Sequence, residues 1–305
     1  FGTLGALTYS RSQEAAADQA AVTALEAAGV SGEGLVEFFE EFRYQELFSE
    51  ERRFPFFRSH PLSADRISGL RRRVAEQSHY DASDTEEALF RHRVMQAKLY
   101  AFLNAPAYTL QRYPSTDTSF EARYARAIAA YRAANTDDAL NQIDVLLEEN
   151  PENAFLWELR GQVLFEAGRP VDAEPAHRRA VDLLPEAGLL RLNLAQAIIA
   201  QERPDRLQEA IAELHRSLAY ERDNPFAYLL MSQAYGSLGE DGQARLAQAE
   251  YHFSISEMEE AQRAAVFARS RLEPGSTAYR RAIDIILATG ASLEDIADLD
   301  RAQEN

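Results

Sequence analysis

The chain has 305 residues, 46% hydrophobic and 27% charged, with a formal net charge of −17 and no cysteine. This is an ordinary globular balance with room for about two domains; it excludes disulfides and thiolate metal sites, and no apolar run approaches the ~18 residues that cross a bilayer. The acidity is uneven: residues 1–112 carry 13 Lys and Arg against 16 Asp and Glu, and residues 113–305 carry 19 against 33. A field of that sign disfavours nucleic-acid phosphates and anionic membrane surfaces.

The chain opens on Phe1 without a secretory signal, as a processed or truncated product would. Ser10 and Gln13 have capping-box spacing and predict a helix that runs through an alanine-rich stretch to a stop at Gly29. Ala15, Ala16, Ala17, Ala20 and Ala21 strip this helix of bulk, so another helix is expected to approach it closely. Glu14 and Asp18, four apart, share one face. Alone, such a pair reads as a solvated acidic face. Beside a close helix contact, one carboxylate could ligate Zn²⁺ and the other hold a ligand histidine in position.

A second helix is predicted over 33–48, with Leu35, Phe38, Phe39 and Phe42 on one side. Pro55 and Pro61 then exclude a continuous helix. The loop between them carries Phe54, Phe56 and Phe57, which are core residues or the lining of a cleft, and then His60. A third helix follows Ser63. Ser83 and Glu86 have capping-box spacing and open a fourth, which runs towards Leu103. Residues 105–118, with two prolines among Ser, Thr and Asp, read as a linker. The expected domains are therefore 1–112 and 113–305.

Beyond the linker the sequence repeats. Pro151 and Pro185 are 34 residues apart, the tetratricopeptide period. Between them Trp157 fills the slot of a bulky inter-helix plug, Gly161 and Ala173 those of close helix contacts, and Ala180 a final small-residue slot. Ala139 holds the small-residue slot before Pro151. Pro225 comes 40 after Pro185, which predicts an insertion around Glu202-Arg203-Pro204-Asp205. Tyr228, Met231, Tyr235, Gly239 and Ala244 suggest a fourth unit. The register then blurs into helices near 241–254, 258–272 and 276–289, and a terminal helix capped by Ser292. One helix pair cannot bury its apolar face alone; stacked pairs build a continuous core and leave a concave surface.

Tyr9 to Asp18 resembles the third-ligand helix of the HtpX-like zinc metalloproteases. Ser59-His60-Pro61 followed by Arg66 resembles a later motif of that family. Two motifs in order, followed by tetratricopeptide repeats, point to its BepA-type periplasmic subgroup. The resemblance implies an all-α chain: part of a helical zincin-type metalloprotease domain over 1–112, then a tetratricopeptide-repeat α-solenoid over 113–305. It implies that Glu14 is a zinc ligand and that Asp18 orients a zinc-bound histidine. It gives His60 a place over the metal, as a reversible gating ligand or a stabiliser of the tetrahedral intermediate, and Arg66 a role in anchoring that loop or the developing oxyanion. The implied activity is periplasmic zinc-dependent proteolysis, coupled to chaperone-like quality control of outer-membrane proteins. The repeats would hold polypeptide clients or assembly-machinery proteins.

The family binds zinc through a His-Glu-x-x-His helix. None of His60, His79, His92, His177, His215 and His252 begins that pattern. The expectation is that the motif is encoded upstream of Phe1 and that this chain alone is inactive. His79, His92, His177, His215 and His252 lack ligand spacing and read as packing or surface residues. A non-catalytic tetratricopeptide scaffold or chaperone is the alternative, and a cytosolic relative the alternative for the compartment.

Overall fold

The computed structural model describes residues 2–48, 64–292 and 294–295. Among them are fifteen α-helices and one 3₁₀ turn, with no strand. The chain divides into two compact units, Phe1–Arg93 and Val94–Asn305. His60 and Phe54, Phe56 and Phe57 lie outside the described residues.

The first unit contains α1 (Gly2–Ala27), α2 (Glu33–Phe48) and α3 (Ala64–Ala75). Helix α1 begins at Gly2, so Ser10 lies inside it rather than capping it; no proline interrupts the residues before Ser10, and Ser is tolerated in mid-helix. Helix α3 packs against both α1 and α2 through Ile67, Leu70 and Val74, which meet Val22 of α1 and Val36 of α2. Leu35 and Phe39 close the edge of this core. Phe38 instead points outward and sits 4.5 Å from Phe42, ring centre to ring centre, because Val36 takes the buried face.

Helix α4 (Glu86–Leu103) falls across the division between the units. Its cap is Thr85, whose Oγ1 accepts from the Ala88 amide at 3.1 Å, not Ser83, because the helix starts at Glu86. In the second unit Ala97 and Ala101 of α4 join the core around Tyr124 and Ile128.

The expected linker is folded. Pro106 opens a short helix α5 (Pro106–Arg112), a placement that uses the fixed φ of proline and its missing N–H at a helix start. Thr109 is fully buried there. Arg126 holds the following loop, donating to the carbonyls of Pro114 at 2.8 Å and Asp117 at 2.9 Å. Composition read this stretch as a linker, and these contacts order it.

Helical hairpins follow: α6 (Phe120–Arg132) with α7 (Thr136–Glu149), α8 (Ala154–Glu166) with α9 (Pro170–Leu183), α10 (Gly188–Ile199) with α11 (Leu207–Tyr220), and α12 (Pro225–Ser237) with α13 (Asp241–Ser254). Each turn passes through one left-handed residue: Ala134, Gly168, Glu202 and Gly239. Trp157 packs against the cores on both sides of it, as a plug should. Its indole N–H donates to the Pro151 carbonyl at 2.8 Å. Arg191, at the same distance after Pro185, makes the equivalent bond from Nε, also at 2.8 Å. Gly161 is needed for contact: a Cβ there would lie 2.6 Å from Cε1 of His177.

The predicted insertion is the 3₁₀ turn Pro204–Arg206. Arg206 ties it down, donating to Glu174 at 2.9 Å and to Glu209 at 2.8 Å, while Arg178 donates to the same two carboxylates. Burial alone would raise the Glu174 carboxyl, but donors on Arg206, Arg178 and Gln201 override it and hold the group at about 2.

The blurred register also has a structural cause. Ser256 makes another left-handed turn, and α14 (Met258–Arg271) packs broadly on α13. Helix α13 thus closes one hairpin and opens the next, and α15 (Thr277–Ala288) packs on both α13 and α14. Ser292 and Asp295 exchange reciprocal capping bonds, with the Asp295 amide donating to Ser292 Oγ at 3.2 Å.

His177 is a core residue, 2% exposed, and burial pushes it down to about 4, partly offset by a hydrogen bond to the Gly161 backbone. The fold therefore holds it neutral. The unfolded chain takes up the proton first, at about 6.5. Stability from this residue is complete above pH 6.5 and falls by on the order of 3 kcal/mol as pH drops towards 4. Urea midpoints across this range should show that slope, and His177→Gln should flatten it. Gly161→Ala should cost about 1–3 kcal/mol by overpacking against the ring, read as a lower urea midpoint at unchanged slope.

Candidate functional site

Three residues from the two sequence motifs meet in the first unit. Glu14 and Asp18 stand one turn apart on α1, and Arg66 reaches them from the first turn of α3. The guanidinium forks onto Asp18, Nε to Oδ2 at 2.9 Å and Nη2 to Oδ1 at 2.7 Å. Its Nη1 pairs with Glu14 Oε2 at 2.6 Å. The ring of Phe39 on α2 lies under the guanidinium, 5.0 Å from Cζ to ring centre, adding a cation–π contact. Hydrogen bonding to Asp18 raises the Arg66 pKa, against the effect of burial.

The packing explains why this arrangement persists. Asp18 is 3% exposed, and an unpaired carboxylate there would be costly. Ile67, next to Arg66, enters the core and fixes the start of α3. The far end is stapled too. Gln77 donates to the Val22 carbonyl at 2.9 Å and accepts from the Gly32 amide at 3.0 Å. Ser31 donates to the Tyr80 carbonyl at 2.6 Å. Gly32 has no room for a side chain, since a Cβ would lie 2.7 Å from both Gln77 and Val74.

The alanine face differs from expectation. Ala15, Ala16, Ala17 and Ala20 are exposed, because α1 packs through the face of Asp18 and Val22 instead. Phe39 is the contributor that motif reading missed; its only signal was its place in the apolar stripe of α2. Of the remaining histidines, His79 pairs with Glu26 at 3.2 Å and His252 with Glu257 at 2.7 Å. His215 lies 3.4 Å from the Tyr235 hydroxyl and its pKa is lowered by burial, and His92 is exposed on α4.

The described residues do not by themselves fit a zinc ion. No group of three or more metal-ligating side chains occurs among them, and the two carboxylates on α1 face a guanidinium. The arrangement is an ion triad that holds Glu14 and Asp18 in place.

Residues 1–74 match Peptidase family M48. Over a longer span the chain is similar to two proteins called "Beta-barrel assembly-enhancing protease". That of Yersinia pestis is 25% identical over 250 residues, covering 81% of this chain and 50% of that protein. That of Escherichia coli (strain K12) is 24% identical over 294 residues, covering 91% and 56%. The chain thus spans about half the length of the curated relatives it matches. Among solved structures, the crystal structure of MamA aligns with a TM-score of 0.42 and 20% identity, covering 56% of this chain and 96% of that one.

The triad predicts an order of effects. Asp18→Ala removes a two-pronged, nearly buried partner and should cost about 3 kcal/mol. Glu14→Gln removes the charge that faces Arg66 at 2.6 Å and should cost about 1 kcal/mol. Arg66→Lys should not restore the loss, since an ammonium lacks the fork. Amide-exchange protection of α1 and α3 reads this order, and equal losses at Asp18 and Glu14 would contradict it.

Proposed function

We propose that this chain works as part of a zinc-dependent endopeptidase of the M48 type, with Glu14 as a metal ligand and the repeats as the surface that holds the polypeptide. The observation that carries this reading is the meeting of Glu14, Asp18 and Arg66, three residues drawn from two separate motifs of the resemblance. The peptidase family match over residues 1–74 and the names of the relatives support it.

In this reading Arg66 is a positioning residue that holds both carboxylates of α1 at their register. Both Asp18 oxygens already accept from it, so a histidine N–H oriented by Asp18 would share one of them. The two imidazoles come from sequence other than these 305 residues, and His60 would serve as a reversible gating ligand of the metal. The compartment is the periplasm, and the clients are unassembled outer-membrane proteins or parts of their assembly machinery. Among the described residues no helix is long and apolar enough to cross a membrane.

The second reading, a non-catalytic scaffold or chaperone, is favoured by the absence of a three-ligand group among the described residues. One experiment separates the two. The complete gene product is purified and assayed for bound zinc and casein cleavage, alongside Glu14→Gln and His60→Ala. The peptidase reading expects about one zinc per chain, lost in Glu14→Gln together with cleavage, at unchanged helix content. Wild-type protein without zinc or cleavage leaves the scaffold, and full activity in Glu14→Gln removes the assignment of that residue.

A further inference from the structure

The slip of register at α13 opens a cavity. Helices α12 and α15 both pack on α13, and the space between them, with α11 as a further wall, has a volume of about 550 Å³. Its walls are mainly apolar and aromatic: Leu218 of α11, Tyr228, Met231 and Tyr235 of α12, and Leu246 of α13. The cleft between α7, α8 and α9 is of another kind, since Asp137, Asp144, Arg160, Arg169 and Asp172 line it. An apolar hollow with a few placed polar groups is the usual form of a small-molecule site.

The cavity presents no net charge. Glu250 and Arg281 are the two charged residues of its wall, and they satisfy each other: Arg281 donates from Nε at 2.6 Å and from Nη2 at 2.8 Å to the two carboxylate oxygens. Burial lowers the pKa of His215, which therefore stays neutral near neutral pH. A charged ligand would lose its water here and find no counter-ion that is free.

Hydrogen-bonding capacity is nonetheless available. Among the described residues the Tyr228 hydroxyl and the Gln243 side-chain amide make no hydrogen bond. Burial raises the Tyr228 pKa and Glu250 adds to this, against Arg281, so the hydroxyl keeps its proton and can donate. The Tyr235 hydroxyl and His215 Nε2 are 3.4 Å apart, beyond the usual bonding range, so this pair is open to a better partner.

Size narrows the choice further. A single aromatic ring fills a dry cavity of about 150 Å³, so one side chain of a partner would leave most of this space empty. We propose that the cavity between α11, α12, α13 and α15 binds a free, uncharged small molecule of two or three aromatic rings that carries a hydroxyl or amide group. This goes beyond the reading of the repeats as a polypeptide-holding surface and does not depend on the metal chemistry.

The test is isothermal titration of the full chain, near neutral pH, with three two-ring probes and one peptide: para-phenylphenol, para-phenylbenzoate, para-phenylbenzylamine and the blocked tripeptide Gly-Tyr-Gly. The phenol should bind at one saturable site, and the other three at least tenfold more weakly. Tyr228→Phe should weaken the phenol about two- to tenfold, the loss of one hydrogen bond. Thr277→Trp, at an exposed residue of the rim, should block it by filling the space. Tyr108→Phe, at an exposed tyrosine of α5, should leave it unchanged. Arg281→Gln leaves Glu250 without its partner and should turn the preference towards the benzylamine. Circular dichroism melts check that each variant folds. No saturable binding of the phenol overturns the proposal, as does equal binding of the three two-ring probes, or phenol binding that survives both Tyr228→Phe and Thr277→Trp. A tripeptide that binds as tightly as the phenol would assign the cavity to a side chain of a partner and also overturn it.

Discussion

A short turn through one left-handed residue sets the geometry of every repeat in the second unit. It reverses the chain fast enough that the two helices must pack side by side, which is why a small residue is required where they cross. Gly161 under His177 is the clearest case. In three of these turns, counting the one between α13 and α14, the left-handed residue is not glycine: Ala134, Glu202 and Ser256. Each carries a backbone strain of about 1–2 kcal/mol, which the packing on either side offsets. Everything downstream, including the single apolar residues exposed on α8, α10 and α12, follows from repeating that constraint at a fixed register.

The first unit is organised by charge rather than by a turn. Asp18 is nearly buried and cannot stand there alone. Arg66 answers it with both arms of the guanidinium and extends to Glu14, while Phe39 covers its face. Among the described residues its apolar core comprises five buried side chains with two at the edge, and the ion triad and the hydrogen bonds of Gln77 add directional specificity to it. The same triad presents Glu14 in a defined direction, which is what a ligand residue needs and what an isolated helix could not provide.

The two units thus solve different problems with similar material. One repeats a hairpin until its apolar faces are covered and leaves single apolar residues exposed on the first helices of its hairpins. The other holds two carboxylates on one helix under tight control.

Periodicity and spacing alone were enough for the helix pairs, the 34-residue repeat, the insertion before α11, and the placing of Glu14 and Asp18 on one face. All of these are local properties, set within a few turns of one helix or repeated along the chain. Tertiary structure decided the rest. Thr85 rather than Ser83 caps α4, because the start of a helix depends on what it packs against. Residues 105–118, read as a linker, hold a short helix with Thr109 buried and a loop tied down by Arg126. The repeat register slips at α13, because that helix packs on both neighbours. Arg66 clamps the two carboxylates from a position 48 residues beyond Asp18, a pairing no local pattern encodes, since it exists only once α3 has docked on α1.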